Sequence, residues 1–183
     1  MAIHVLSRRK SAKTIEAAHP GAFVADLSSK GPEPWRRFSP FFPHGGIPVP
    51  YSPGVTAACV EGIWQGLKVF HGVDVDPAAF RNDRMRGLKR TVRRFGPVRG
   101  HRRGVEGDEL LDYVAARRVI YLPAYRFVLE HHLSGGVVAL RERAEEGDVV
   151  LLDYETNTDV DDTSRPLSHA GLVRAWLVGE WPG

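Results

Sequence analysis

Residues 61 to 70 read EGIWQGLKVF. A carboxylate (Glu61), an amide (Gln65) and an amine (Lys68) follow one another at i, i+4 and i+7. On a helix advancing 100° per residue these three side chains fall within an arc of about 60° and stack along one face. Such a set can converge on one ligand, with the carboxylate as proton acceptor or charge stabiliser and the amine as nucleophile or cation. An amphipathic helix also turns such a face to water, and spacing alone leaves both readings open. Gly62, Gly66 and Val69 would make a poor solvated face, which favours the ligand.

The element that must carry them is predicted as a helix over residues 57 to 70. Thr56 is placed to cap it, its hydroxyl accepting from a first-turn N–H. Cys59, Val60, Ile63, Trp64, Leu67 and Phe70 fall within about 140° on the same geometry, a core-facing stripe of ordinary width. Cys59, the single cysteine, reads as a small buried hydrophobe. It excludes an internal disulfide and fits a reducing compartment.

Around this helix the chain of 183 residues is expected to form a single domain spanning 1–183. The expected class is α+β, a compact helix-rich domain with a few short strands. Strands are predicted at 2–6 and 22–27. Residues 28 to 54 form a long loop rich in Pro and Gly yet carrying Trp35, Phe38, Phe41, Phe42 and Tyr51, so it should pack down and line a pocket. The segment from Asp108 to Leu133 reads as two helices broken before Pro123. VVALRERAEEG is a helix closed by Gly147, DVVLLDY a strand and SHAGLVRAWLVG a final helix. No run is long enough to span a membrane and no signal peptide is evident, so a cytoplasmic protein is expected.

Charge is unevenly spread. The net charge is only +3, yet ten Lys and Arg lie between Arg81 and Arg103 against Asp83 alone. Asp153, Glu155, Asp159, Asp161 and Asp162 gather in one later stretch. A basic and an acidic block point to a phosphate-bearing partner and a carboxylate-rich pocket. They can equally offset each other across the surface. Arg99, in GPVRGHRRG, is the candidate phosphate ligand, because glycines let backbone and side chain approach together. The region around it reads as loop. Metal-ligand spacings, a Walker loop and a dinucleotide fingerprint are all missing from the sequence, so no metal and no cofactor is expected.

The pattern E-x-x-x-Q-x-x-K-x-F resembles the signature helix of the NADAR (NAD- and ADP-ribose-associated) family of N-glycosidases, with Glu61, Gln65 and Lys68 in place and Phe70 one step late. Upstream, FSPFFPH matches that family's Ser-Asn-Phe-aromatic-Pro motif at Ser39, Phe41, Phe42 and Pro43, with Pro40 in place of the Asn. Downstream, Leu152 and Asp153 match a strand end, Asn157 and Asp159 resemble the Asn-Asp loop one residue out of step, and SHAGL resembles the start of the last helix. The family's Trp-Gly is absent, and Asp161 and Asp162 compete with Asp159. The likeness covers roughly residues 36 to 178 and is that of a divergent member.

The resemblance implies hydrolysis of the bond between a base or amine nitrogen and C1 of a phosphorylated ribose or ADP-ribose. The substrate would be of the ADP-ribosyl-guanine or phosphoribosylamino-pyrimidine type, free or as ADP-ribosylated nucleic acid. Glu61, Lys68 and Asp159 would be catalytic, with Gln65, Ser39, Phe41, Trp64 and Arg99 binding substrate. Lys68 either attacks C1 to give a Schiff base or acts only as a cation. The alternative from another class is an inactive nucleotide- or nucleic-acid-binding protein that uses the basic 81–103 stretch.

Overall fold

The computed structural model describes residues 2–182. About 38% of the chain is helical and 17% is strand, which places it in the α+β class. Contacts divide it into two compact units. One is built from the chain's two ends, up to Ser39 and from Leu129 onward; the other is Pro40–Val128.

In chain order the elements begin with β1 (Ile3–Ser7), α1 (Ala12–Ala18) and β2 (Phe23–Asp26), then a 3-10 turn at Trp35–Phe38. β3 (Ile47–Pro48), β4 (Thr56–Ala57), α2 (Val60–Gly66) and β5 (Lys68–Phe70) follow. After a 3-10 turn at Pro77–Arg81 come α3 (Val92–Phe95), β6 (Val98–Arg102), β7 (Leu110–Leu111) and α4 (Tyr113–Ala116). A π-helical turn at Arg117–Tyr121 leads into α5 (Leu122–His131), and α6 (Ser134–Glu146), β8 (Val149–Asp153) and α7 (His169–Val178) complete the chain. No described helix is long and apolar enough to cross a membrane.

The first unit is organised by β8. Its five residues, VVLLD, are all buried. Both β1 and β2 pair with it in parallel, Ile3 and Phe23 each opposite Val149. A central parallel strand has no solvated face, which is why its sequence is a continuous apolar run. Ile15 of α1 packs with Val150 and Leu152, and α6 and α7 also contact β8. Ser11 caps α1, its Oγ accepting from Thr14 N–H at 3.1 Å.

In the second unit β5, β6 and β7 form an antiparallel sheet with β6 in the middle. The strands at β1, β2 and β8 and the helices at α6 and α7 agree with the sequence reading, including Gly147 as the cap of α6. Four readings are corrected. The helix expected over 57–70 spans only Val60–Gly66, since Thr56 and Ala57 belong to β4 and Lys68–Phe70 to β5. Its cap is Cys59, whose Sγ accepts from Gly62 N–H at 3.3 Å. The supposed loop around Arg99 contains strand β6. Pro123 does not break the helical run either; lacking an N–H, it follows the widened π turn, and α5 continues through it.

Candidate functional site

Every residue of α2 is buried, its polar ones included: Glu61 is 8% and Gln65 5% exposed. The face carrying Glu61 and Gln65 is therefore not a solvated one. The other side of the helix lies close against the Pro77–Arg81 turn. A Cβ on Gly62 would come 2.7 Å from the Ala79 carbonyl oxygen, and one on Gly66 would enter the Phe80 ring. Pairs of glycines four apart let two backbones approach, which seats α2 deep enough to bury its polar residues.

Glu61 lies in the first turn, where a carboxylate is favoured by the helix dipole. Its N–H donates to the Pro40 carbonyl at 2.8 Å. Gln65 Nε2 donates to Glu61 Oε1 at 2.8 Å, and Gln65 Oε1 accepts from Lys68 Nζ at 3.1 Å. A buried carboxylate, a buried amide and a half-buried amine thus form one relay. Lys68 reaches it from β5 and not from the helix, because Leu67 ends the helix and turns the chain into the strand. The amide links carboxylate and amine, one end bonded to each. Burial holds the Lys68 amine below the ordinary lysine range; Glu61 opposes that shift, while Arg90 and Lys89 reinforce it.

Arg90 fixes the far side of the relay. Its backbone N–H donates to Gln65 Oε1 at 3.0 Å. Its guanidinium donates to the carbonyls of Gln65 at 3.1 Å, Lys68 at 2.6 Å and Asp74 at 2.8 Å. It also lies over the rings of Phe70 and Phe95, 5.0 and 5.3 Å from their centroids. Within a block of ten similar cations nothing in the sequence distinguishes Arg90; only the fold does. Beside it is a groove of about 240 Å³ lined by Asn82, Lys89, Arg90, Arg94 and Phe95 among others.

Trp64, on the same helix, packs within an aromatic group. Its ring lies 3.8 Å from that of His101 and meets the edges of Tyr113 and Tyr121. His101 stands opposite Lys68 in the β5–β6 pairing. It is fully buried, and neither ring nitrogen has a hydrogen-bond partner among the described residues. Burial, aided by the charge of Lys68, pushes its pKa down to about 3. A neutral, unpartnered imidazole beside the amine is a feature that sequence reasoning missed. Its only signal there is one histidine among eight.

The remaining candidates distribute as follows. Phe41 belongs to the second unit, with Lys89 Nζ 5.9 Å from its ring centroid. Arg99 is exposed at the irregularity where β6 shifts register against Val69 and Phe70. Ser39 is buried in the first unit at the end of the Trp35–Phe38 turn.

Asp159 is exposed, also in the first unit, in a loop arranged around the buried Asn157. Asn157 Nδ2 donates to the carbonyls of Asp162 at 3.0 Å and Arg165 at 3.2 Å, and its Oδ1 accepts from Asp159 N–H at 2.9 Å. Asp159 Oδ1 in turn accepts from Asp161 N–H at 2.8 Å. Asp153 turns away from this acidic loop. Its Oδ2 faces His169 Nδ1 at 2.9 Å and accepts from Ser168 Oγ at 2.9 Å. His169 Nε2 lies 2.9 Å from the Leu27 carbonyl oxygen. Both imidazole nitrogens face acceptors, an arrangement that favours the protonated ring; burial lowers the His169 pKa, but the Asp153 carboxylate outweighs that and raises it. Ser168, His169 and Asp153 therefore do not form a nucleophilic triad; the serine donates to the carboxylate, and the buried ion pair ties the start of α7 to the end of β8.

A mixed α+β protein with a Glu–Gln–Lys relay, its carboxylate and amide buried, is the class that fold and site define. The chain belongs to the DUF6939 family, a family of unknown function, which matches residues 7–173. That span takes in the relay, β6 and the Asn157 loop. No curated protein matches the chain significantly, and no solved structure does.

Proposed function

We propose that the protein is an N-glycosidase that hydrolyses the bond between a base or amine nitrogen and C1 of a phosphorylated ribose or ADP-ribose. The observation that carries this reading is the relay in which buried Gln65 links the buried Glu61 carboxylate to a half-buried Lys68 amine of lowered basicity. Departure of the nitrogen leaves positive charge at C1 and on the ring oxygen. A desolvated carboxylate such as Glu61 stabilises that charge or takes a proton from the attacking water. Water supplies the hydroxyl at C1, and the nitrogen leaves with the proton.

Lys68 has two possible roles here. As a neutral amine it displaces the leaving nitrogen at C1, which departs with a proton; the ring C–O bond then opens to give a Schiff base, and water hydrolyses it to free the amine and the sugar. As an ammonium it holds the substrate. The lowered basicity of Lys68 favours the first. Gln65 orients the amine. Asp159 enters on the NADAR resemblance, as do Ser39, Phe41 and Trp64, with Asp161 and Asp162 as substitutes for Asp159. Arg99, exposed beside β5, is suited to a substrate phosphate. A cytoplasmic setting fits the single buried thiol.

The test is incubation with ADP-ribosylated guanosine and with a phosphoribosylamino-pyrimidine, following release of base or ribose phosphate. Turnover of one of them is expected, with Glu61→Gln and Lys68→Ala each losing about 10²-fold or more. Activity that rises with pH through a pKa below the usual lysine range, and a mass adduct with borohydride that Lys68→Ala lacks, assign the amine as nucleophile. Activity that falls through the same pKa assigns it as cation. No turnover on either substrate overturns the proposal.

The groove beside Arg90 favours a second reading, that of a nucleotide- or nucleic-acid-binding protein without catalysis.

A further inference from the structure

Three ligand-type side chains outside the relay come together at the N-terminal edge of the parallel sheet. His4 is the second residue of β1, His19 follows the end of α1, and Asp148 immediately precedes β8. All three are half-buried, and one ligand atom from each lies within 4.8 Å of the other two. The two imidazoles are in contact, their centroids 4.1 Å apart and their planes tilted by 39°.

His4 Nε2 stands 3.5 Å from Asp148 Oδ2. That is long for a hydrogen bond to a carboxylate. It is close to the separation of about 3.3 Å between two ligands that each sit about 2.0 Å from a tetrahedral zinc ion. The other carboxylate oxygen, Asp148 Oδ1, accepts the Ala2 N–H at 2.8 Å, so the backbone orients the group from behind.

We propose that His4, His19 and Asp148 bind one divalent transition-metal ion of the zinc class, leaving its fourth position to water. Two imidazoles and a carboxylate suit such an ion and not calcium or magnesium, which prefer oxygen alone. The sequence hides the site because its ligands lie at positions 4, 19 and 148 and only strand pairing unites them. The ion would clip β1, the α1–β2 connection and the start of β8. Five residue steps along the strand, about 16 Å, separate it from the Asp153–His169 pair at the other end of β8. The proposal is independent of the glycosidase reading.

The full chain, stripped with EDTA, is titrated with Zn²⁺ by calorimetry and with Co²⁺ by absorption. One saturable site per chain and the intense visible spectrum of four-coordinate Co²⁺ are expected. His19→Ala and Asp148→Asn should each weaken binding by about 10-fold or more. His131→Ala should leave it unchanged. Zn²⁺ should raise the unfolding temperature of the wild type but not of His19→Ala. Circular dichroism of the metal-free variants checks that they fold. The proposal is overturned if the wild type shows no one-to-one binding, or if binding survives both ligand substitutions at full strength.

Discussion

His101 carries a cost that the fold accepts. Its ring stacks on Trp64, while both nitrogens lack hydrogen-bond partners among the described residues. A buried polar group left in that state destabilises the folded chain. The pH consequence has a definite sign. In the folded chain the imidazole stays neutral down to about pH 3, whereas in the unfolded chain it takes up a proton near pH 6.5. Between those values the unfolded state binds more protons, so this residue makes stability fall as pH falls, by at most about 1.4 kcal/mol per pH unit. His101→Phe keeps the stacked ring and removes the titration. Urea unfolding from pH 7 to 4 should show a shallower pH slope for the variant, with stability at pH 7 equal to or about 1 kcal/mol above the wild type. Identical slopes would show that the imidazole is hydrated in the folded chain. Spacing picks out Glu61, Gln65 and Lys68 as a group, and they are one. It cannot pick out His101 or Arg90, because their burial comes from strand pairing and from a guanidinium reaching three carbonyls of distant residues.

At the scale of elements, α2 shows what periodicity misses. The sequence predicts a fourteen-residue helix with Lys68 on its polar face; the helix stops after seven. The contact between Lys68 and Gln65 survives because a residue just past a helix end can still reach back one turn. Gly62 and Gly66, read as one edge of a poor solvated face, instead meet Ala79 and Phe80. Replacing glycine by alanine in a helix normally stabilises by about 1 kcal/mol. Here Gly62→Ala and Gly66→Ala should each destabilise by about 1–3 kcal/mol, because the added methyl has no space. Denaturant midpoints measure this. Phe80→Leu in the Gly66→Ala background should recover part of the loss, a coupling expected only of residues in contact. A stabilised Gly66→Ala protein would contradict the close approach of α2 to the Pro77–Arg81 turn. By contrast α6, α7 and β8 are legible because their signals are local: Gly147 after one helix, the apolar pattern of SHAGLVRAWLVG for the other and a run of β-branched and apolar residues for the strand. The partners of β8 are not legible, since β1 lies about 146 positions away in register and nothing local encodes that pairing.

For the molecule as a whole, the two functional readings make opposite demands on charge. Net charge is only +3, but the basic stretch supplies Lys89 and Arg94 to the groove beside the relay. If a nucleic acid binds there, affinity must fall steeply with salt, because each neutralised phosphate releases counterions. Binding of a single-stranded oligonucleotide, measured from low to physiological salt, should then give a linear plot of log K against log salt concentration. Lys89→Ala and Arg94→Ala should each lower affinity and make that slope shallower by about 1. Arg90 is unsuitable for this test, because its guanidinium is already committed to the carbonyls of Gln65, Lys68 and Asp74. A small phosphorylated ribosyl substrate carries few charges, and its KM should change little over the same range. Steep salt dependence without turnover therefore supports the binding protein. Turnover with a nearly flat salt profile supports the glycosidase. Steep salt dependence together with turnover identifies ADP-ribosylated nucleic acid as the substrate class, because only a polyanion engages the groove while its modified base reaches the relay.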